Sequence, residues 1–190
     1  MRTLAITQNV TVDGSIEMLD DWFEPQAGAD DTELLAETRR QDSRADAFLV
    51  GRRTFEDLRG YWPRQADDRT GITAYLDQVS KYVVSTTMSD PGWQNTTVLS
   101  GDPVAEVRAL KVRPGLDIVV TGSITLCHAL IDAGLVDEYR LFVYPVVQGR
   151  GRRLFPDGTA PRNLTLLEAR TFAGGITYTR YAQREQVSPT

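Results

Sequence analysis

Three short apolar runs, Ala47-Phe48-Leu49-Val50, Tyr82-Val83-Val84 and Ile118-Val119-Val120, each stop abruptly at small residues: Gly51, Ser85 and Thr121-Gly122. A strand that is apolar on consecutive residues is covered on both faces, as inside a parallel sheet. Helical patterns separate the runs. One resumes near Thr54. A second opens at Asp102-Pro103, with proline at the first helical position, and runs through Val104, Val107 and Leu110-Lys111 to Pro114-Gly115. A third begins after Gly122, places Ile124, Cys127, Leu130 and Ile131 at helical spacing, and stops at Gly134, with Leu135 set to close a C-terminal cap. Alternating strand and helix imply an α/β chain with a largely parallel sheet flanked by helices on both faces.

The two ends of the chain behave differently. Residues 3–8 mix apolar and β-branched side chains as a first strand would, and Val12-Asp13-Gly14-Ser15 breaks the pattern with turn chemistry. A long loop through Trp22, Phe23 and Pro25 leads to a helix cap at Asp30-Asp31-Thr32, with Leu34, Leu35 and Thr38 on one face of a helix ending near Arg44. The stretch from Gly60-Tyr61-Trp62-Pro63 to Lys81 reads as a break and a charged loop, and 96–99 as a short strand. Residues 139–147 form a long strand, and 164–172 and 176–182 flank Ala173-Gly174-Gly175 as an antiparallel hairpin that closes the sheet. Residues 1–185 are therefore expected to be a single domain, with 186–190 a loose tail. Apolar residues on both faces of 139–147 (Tyr139, Leu141 and Val143 against Phe142 and Tyr144) suggest an interface, for which a homodimer is the commonest closed arrangement.

Charge narrows the function. A net charge of −5 argues against broad nucleic-acid binding, which depends on neutralising phosphates. No apolar run approaches the roughly 20 residues that span a bilayer, so no membrane partner is expected. The apolar stretch at residues 1–8 is too short for a secretory signal, and Cys127, the only cysteine, can form no internal disulfide; the cytoplasm is the default compartment. His128, the single histidine, neighbours Cys127, and adjacent helical residues point apart, so no metal site is expected.

The strand ends carry the chemistry. Val50 leads into Gly51-Arg52-Arg53-Thr54, Val84 into Ser85-Thr86-Thr87, and Val120 into Thr121-Gly122-Ser123. Ligands of open α/β sheets bind in the crevice beyond the carboxyl ends of the strands. Glycine allows close backbone approach, a helix N-terminus offers unpaired N–H groups, and hydroxyls and guanidinium groups add donors, so a phosphate suits this edge. Neither a Gly-x-Gly-x-x-Gly fingerprint nor a Gly-Lys-Ser/Thr phosphate loop occurs. Trp22, Phe23, Tyr61 and Trp62 flank the expected cleft and offer rings on which a flat heterocycle can stack.

These segments, in order, resemble a known family. Thr11-Val12-Asp13-Gly14, the run from Phe48 to Glu56, Lys81-Tyr82-Val83-Val84-Ser85, Val120-Thr121-Gly122-Ser123 running on to Gly134-Leu135-Val136-Asp137-Glu138-Tyr139, and Pro145-Val146-Val147-Gln148-Gly149-Arg150-Gly151-Arg152-Arg153-Leu154-Phe155 are similar to the reductase domain of the bifunctional riboflavin-biosynthesis deaminase-reductase and its stand-alone relatives. The resemblance implies the dihydrofolate reductase fold and NADPH as hydride donor. It places Gly51-Arg52-Arg53-Thr54 and Ser85-Thr86-Thr87 near the adenosine and its 2′-phosphate, and Gly122-Ser123-Ile124 under the pyrophosphate. Val10, Asp13, Gly14 and Ile16 would belong to the loop that closes over the nicotinamide. Glu33 stands roughly where dihydrofolate reductases carry a helix carboxylate, with Asp30, Asp31 and Glu37 close in sequence.

The expected activity is NADPH-dependent reduction of a small heterocyclic or ribosylamino substrate, similar to 5-amino-6-(5-phosphoribosylamino)uracil reductase. Trp22 and Trp62 are the expected substrate contacts, and Asp13 the expected proton source. The zinc deaminase signature that accompanies the bifunctional enzyme is absent. Another substrate for the same fold, or a nucleotide-binding module without turnover, are the alternatives. Arg150, Arg152 and Arg153 read as a substrate-phosphate or subunit contact, or as solvated surface.

Overall fold

The computed structural model describes residues 1–19, 22–23, 32–160 and 163–183. In chain order the elements are β1 (Leu4–Thr11), α1 (Thr32–Asp42), β2 (Ala45–Gly51), α2 (Arg52–Tyr61), a 3-10 turn (Trp62–Arg64), α3 (Ile72–Gln78), β3 (Ser80–Val84), β4 (Thr96–Leu99), α4 (Pro103–Lys111), β5 (Asp117–Val120), α5 (Ile124–Asp132), β6 (Glu138–Tyr144), β7 (Leu164–Thr171) and β8 (Thr177–Gln183). The strands form one eight-stranded sheet in the order β4-β3-β2-β5-β1-β6-β8-β7. The first six in that order pair in parallel, and β8 then runs antiparallel to both β6 and β7. This is the mixed, mostly parallel α/β sheet closed by a C-terminal hairpin that the alternation implies. No helix among the described residues is long and apolar enough to cross a membrane.

Because side chains alternate across a strand, the sheet sorts its apolar residues onto two faces. On one face Leu4, Ile6, Ala47, Leu49, Ile118 and Val120 pack against Val107 and Leu110 of α4 and Cys127, Leu130 and Ile131 of α5 in one continuous core. The other face is divided. Phe48, Val50 and Val83 pack under Phe55 of α2, Trp62 and Leu76 of α3, while Phe142, Phe172, Ile176 and Tyr178 form a separate cluster that Leu34 of α1 touches. Between these clusters the central strands offer Thr7, Asn9 and Val119, which floor a cleft.

Helix α1 buries polar residues. Its cap at Asp30-Asp31 lies outside the described residues. The face that carries Leu34, Leu35 and Thr38 lines the cleft, and the buried residues are Glu37 and Gln41. Burial of Glu37 is tolerated because donors surround it: Arg40 at 2.8 and 3.0 Å, Gln41 at 3.0 Å and Arg170 of β7 at 3.0 Å. Periodicity of apolar residues alone misses such a face. The segment read as a charged loop contains α3, a short helix preceded by a left-handed Gly71 and tied down by Asp68, which accepts from the Thr70 and Thr73 backbone N–H groups at 2.8 Å each. The strand expected to form an interface, β6, lies inside the sheet between β1 and β8, and its Tyr139 and Phe142 are buried on opposite faces within the chain. Its two apolar faces thus have an internal cause. The tail at 186–190 lies outside the described residues.

Arg140 of β6 is fully buried at the N-terminal end of the sheet, bound to Asp117 at 2.6 Å and Glu138 at 2.9 Å. Removing one member of a buried ion cluster leaves the other charges without a partner. Arg140→Ala is expected to lower unfolding stability by about 3–5 kcal/mol, measured by urea denaturation; a loss under about 1 kcal/mol contradicts this role.

Candidate functional site

The sheet register sets three strand ends level. Gly51 pairs with Val84, and Leu49 and Ile6 both pair with Val120, so the turns after β2, β3 and β5 share one edge. Two of these turns are fastened to each other. The Gly51 backbone N–H donates to Ser123 Oγ at 2.8 Å, and the Ser123 N–H donates to Thr54 Oγ1 at 2.9 Å. Gly122 and Ser123 both take left-handed conformations, with φ of +56° and +49°. A Cβ at Gly122 would stand 2.9 Å from Thr54 Cγ2, so glycine is required by close approach as well as by φ. Below, Gln8 Nε2 donates to the Gly122 carbonyl at 2.9 Å while its Oε1 accepts the Gly122 N–H at 3.3 Å. With Ser123 Oγ taken by Gly51, helix α5 starts with no side-chain cap on the donors of its first turn.

The cleft extends from this edge under α1, with a volume of about 1190 Å³. Gly51, Arg52, Arg53, Thr54, Thr121, Gly122, Ser123, Ile124, Ile16, Trp22 and Trp62, all expected at the site, line it together. The hydroxyls of Thr54 and Ser123 serve the clasp just described. Arg52 and Arg53 stay exposed at the start of α2; Arg53 makes no ion pair among the described residues, and Arg52 approaches Glu56 at 4.0 Å. Trp62 is mostly core, while Tyr61 is exposed beside it. Ser85, Thr86 and Thr87 do not line the cleft: Ser85 Oγ accepts from the Thr87 and Met88 N–H groups at 3.3 and 3.1 Å, closing a turn at the end of β3. Val10 is in the core beneath α5, and Glu33 is exposed.

Asp13 and Gly14 do not line the cleft; Asp13 lines a second, smaller pocket with Gly149 and Arg150. The Asp13 carboxylate accepts from Thr11 Oγ1 at 2.6 Å, Gly149 N–H at 2.7 Å and Gln148 N–H at 3.2 Å, which hold its pKa at about 2. A carboxylate so fixed in its ionised form is an anchor for the loop after β6 and has no proton to give near neutrality. The hub of that loop is Gln148, which sequence reasoning passed over. Its Nε2 donates to Ser15 Oγ, Glu17 O and Arg150 O, each at 2.9 Å, and its Oε1 accepts from Trp22 Nε1 at 2.8 Å. Trp22 in turn sits edge-on to Tyr144 and Phe23, with ring centroids 5.5 and 6.0 Å apart. A Cβ at Gly151 would collide with Ser15 Oγ and stand 2.8 Å from Gln148 Nε2, the physical reason for glycine in Gln148-Gly149-Arg150-Gly151.

A model described as the RibD C-terminal domain matches residues 2–178. The chain belongs to the RibD C-terminal domain family. It is 33% identical over 183 residues to the uncharacterized protein YyaP of Bacillus subtilis strain 168, covering 92% of each chain. Its fold matches a pyrimidine reductase-like protein of Corynebacterium diphtheriae with a TM-score of 0.67 at 18% identity, over 97% of this chain and 93% of that one. It also matches the diaminohydroxyphosphoribosylaminopyrimidine deaminase/5-amino-6-(5-phosphoribosylamino)uracil reductase of Thermotoga maritima with a TM-score of 0.65 at 16% identity, over 96% of this chain and 57% of that one.

This RibD C-terminal domain carries one carboxylate in its cleft that no sequence motif marks. Asp42, in the last turn of α1, lines the cleft, is largely enclosed, and has no hydrogen bond or ion pair among the described residues. Burial pushes its pKa up to about 7. Tyr75 of α3 lines the same cleft with a buried hydroxyl that has no hydrogen-bond partner among the described residues. Asp42 keeps its proton to higher pH in the folded chain than in the unfolded one, so its contribution to stability declines as pH rises from about 4 to about 7. Asp42→Asn removes that decline. Its urea midpoint should approach the parent's at about pH 4.5 and exceed it at about pH 8, by up to ~4 kcal/mol in stability; equal differences at both pH values contradict the burial of this group.

Proposed function

We propose that this chain is an NADPH-dependent reductase of a small planar heterocyclic substrate, related in reaction type to 5-amino-6-(5-phosphoribosylamino)uracil reductase. The observation that carries the reading is the clasped edge, where an uncapped helix N-terminus over Gly122 lies beside exposed Arg52 and Arg53. The residues fit the cofactor. Backbone donors at the start of α5 suit a pyrophosphate, the absence of a Cβ at Gly122 permits its approach, and a guanidinium pair suits a 2′-phosphate. Bound NADPH supplies a hydride. The chain supplies position: the clasp fixes the cradle, Gln148 holds Trp22 and the loop after β1 against the loop after β6, and Trp22, Phe23 and Tyr144 line the cleft with aromatic surface that suits a heterocycle.

Family membership supports the reductase reading, and the pyrimidine reductase-like name of the Corynebacterium relative agrees with it. The test pairs binding with turnover. NADPH should bind, and its absorbance should fall with at least one member of a panel of pyrimidines, pteridines and quinones. Arg53→Ala should raise the NADPH dissociation constant by about tenfold or more while leaving that for NADH nearly unchanged. Equal loss for both cofactors removes Arg53 from the 2′-phosphate. Tight binding without turnover on any substrate makes the chain a nucleotide-binding module.

A further inference from the structure

We propose that the substrate half of the cleft selects an unphosphorylated planar compound that turns a cationic or amidine-like N–H edge toward Asp42. This rests on the reading that Arg52 and Arg53 serve the cofactor. It departs from the phosphoribosylamino compound in the name of the Thermotoga relative.

The distribution of charge carries the argument. Among the described residues lining the cleft the cations are Arg52, Arg53 and Arg152. The first two open α2 at the clasped edge, and Arg152 is engaged by Glu17 at 2.6 Å. Away from that edge, α1 and α3 present Leu34, Leu35, Thr38, Gln41, Asp42 and Tyr75 to the cleft, with no cation. The sequence agrees: from residue 3 to residue 38 there is no lysine or arginine, whereas nine carboxylates fall in that stretch. A phosphate taken out of water requires charge-assisted donors, and a neighbouring carboxylate opposes it further.

Asp42 supplies the positive half of the argument. Of the cleft's other carboxylates, Glu17 is paired with Arg152 and Asp57 is exposed. Asp42 alone among the described cleft carboxylates is substantially enclosed and lacks a partner. The groups that act on it are few. Tyr75 faces it from α3, and Arg140, on β6, influences Tyr75 but is held by Asp117 and Glu138. Elsewhere on the same helix, burial of Glu37 is matched by arginines and an amide. Asp42 has no such compensation, although an asparagine there would avoid the cost of burying a charge. A ligand edge with two parallel N–H donors, or a protonated one, provides what the fold withholds, since a carboxylate accepts such an edge through both oxygens. The aromatic rings of Trp22, Phe23 and Tyr144, which line the cleft, favour a flat ligand.

Benzamidine, a planar amidinium, and phenyl phosphate, which carries the same ring on an anion, separate the two chemistries. Calorimetric titrations of the full chain would be run with NADP⁺ saturating, so that the anion cannot use the cofactor end. The expected result is benzamidine binding at least tenfold tighter than phenyl phosphate, with at least a tenfold loss in Asp42→Asn. The ratio of parent to variant affinity should shrink below about pH 7, as Asp42 takes up a proton. Phenyl phosphate binding as tightly as benzamidine, no benzamidine binding, or benzamidine affinity indifferent to Asp42→Asn each overturns the proposal. Should the variant not fold, the pH dependence of benzamidine binding to the parent decides: affinity that does not weaken below about pH 7 overturns it. Failure of the cofactor reading is seen separately, as an absence of NADP⁺ binding in the same titrations, and benzamidine is then compared with phenyl phosphate without it.

Discussion

The two hydrogen bonds that join the turn after β2 to the turn after β5 hold the candidate site together. Gly51 gives its N–H to Ser123 Oγ and Ser123 gives its own to Thr54 Oγ1, so each turn satisfies a donor of the other. The geometry works only because Gly122 has no side chain where Thr54 stands, and because Gln8 takes up both backbone groups of Gly122 from below. With those groups satisfied, the first turn of α5 remains open toward the cleft. A cap on that helix would close the end that the fold keeps available.

The second constraint is the division of the core. One face of the sheet is packed continuously by α4 and α5, and stability can rest there. On the other face the clusters around Phe48 and Phe142 stand apart, and the central strands between them carry small or polar side chains. The cleft is this gap, roofed by α1. The polar residues on α1 divide accordingly: Glu37 is bound into the fold, Gln41 joins it to Thr7 at the cleft wall, and Thr38 and Asp42 line the cavity. Raising the pKa of Asp42 costs stability, a common pattern where a group serves a ligand.

Much of this was legible in the sequence where the physics is local. Continuous apolar runs marked β2, β3 and β5, and the abrupt Gly51 and Gly122 marked the edge at which they end. The hairpin of β7 and β8 followed from its glycines. What escaped depends on pairing across the chain. Buried Glu37 needs Arg170, more than a hundred residues away, to be tolerated. Gln148 stood inside a family-like motif with no role of its own; its role appears only where the fold brings it to Trp22 and Ser15. Asp13, read as a proton source, is bound by the turn it faces, and Asp42 gave no signal because its distinction is the absence of a partner.

Hydrogen exchange with and without NADP⁺ tests the central claim, that the clasped edge is a cofactor cradle, most directly. The account predicts slowed exchange of the amides of residues 51–54 and 122–126, with the loop at 148–153 little changed. Protection confined to that loop, or saturable NADP⁺ binding with none at either clasped turn, would contradict it.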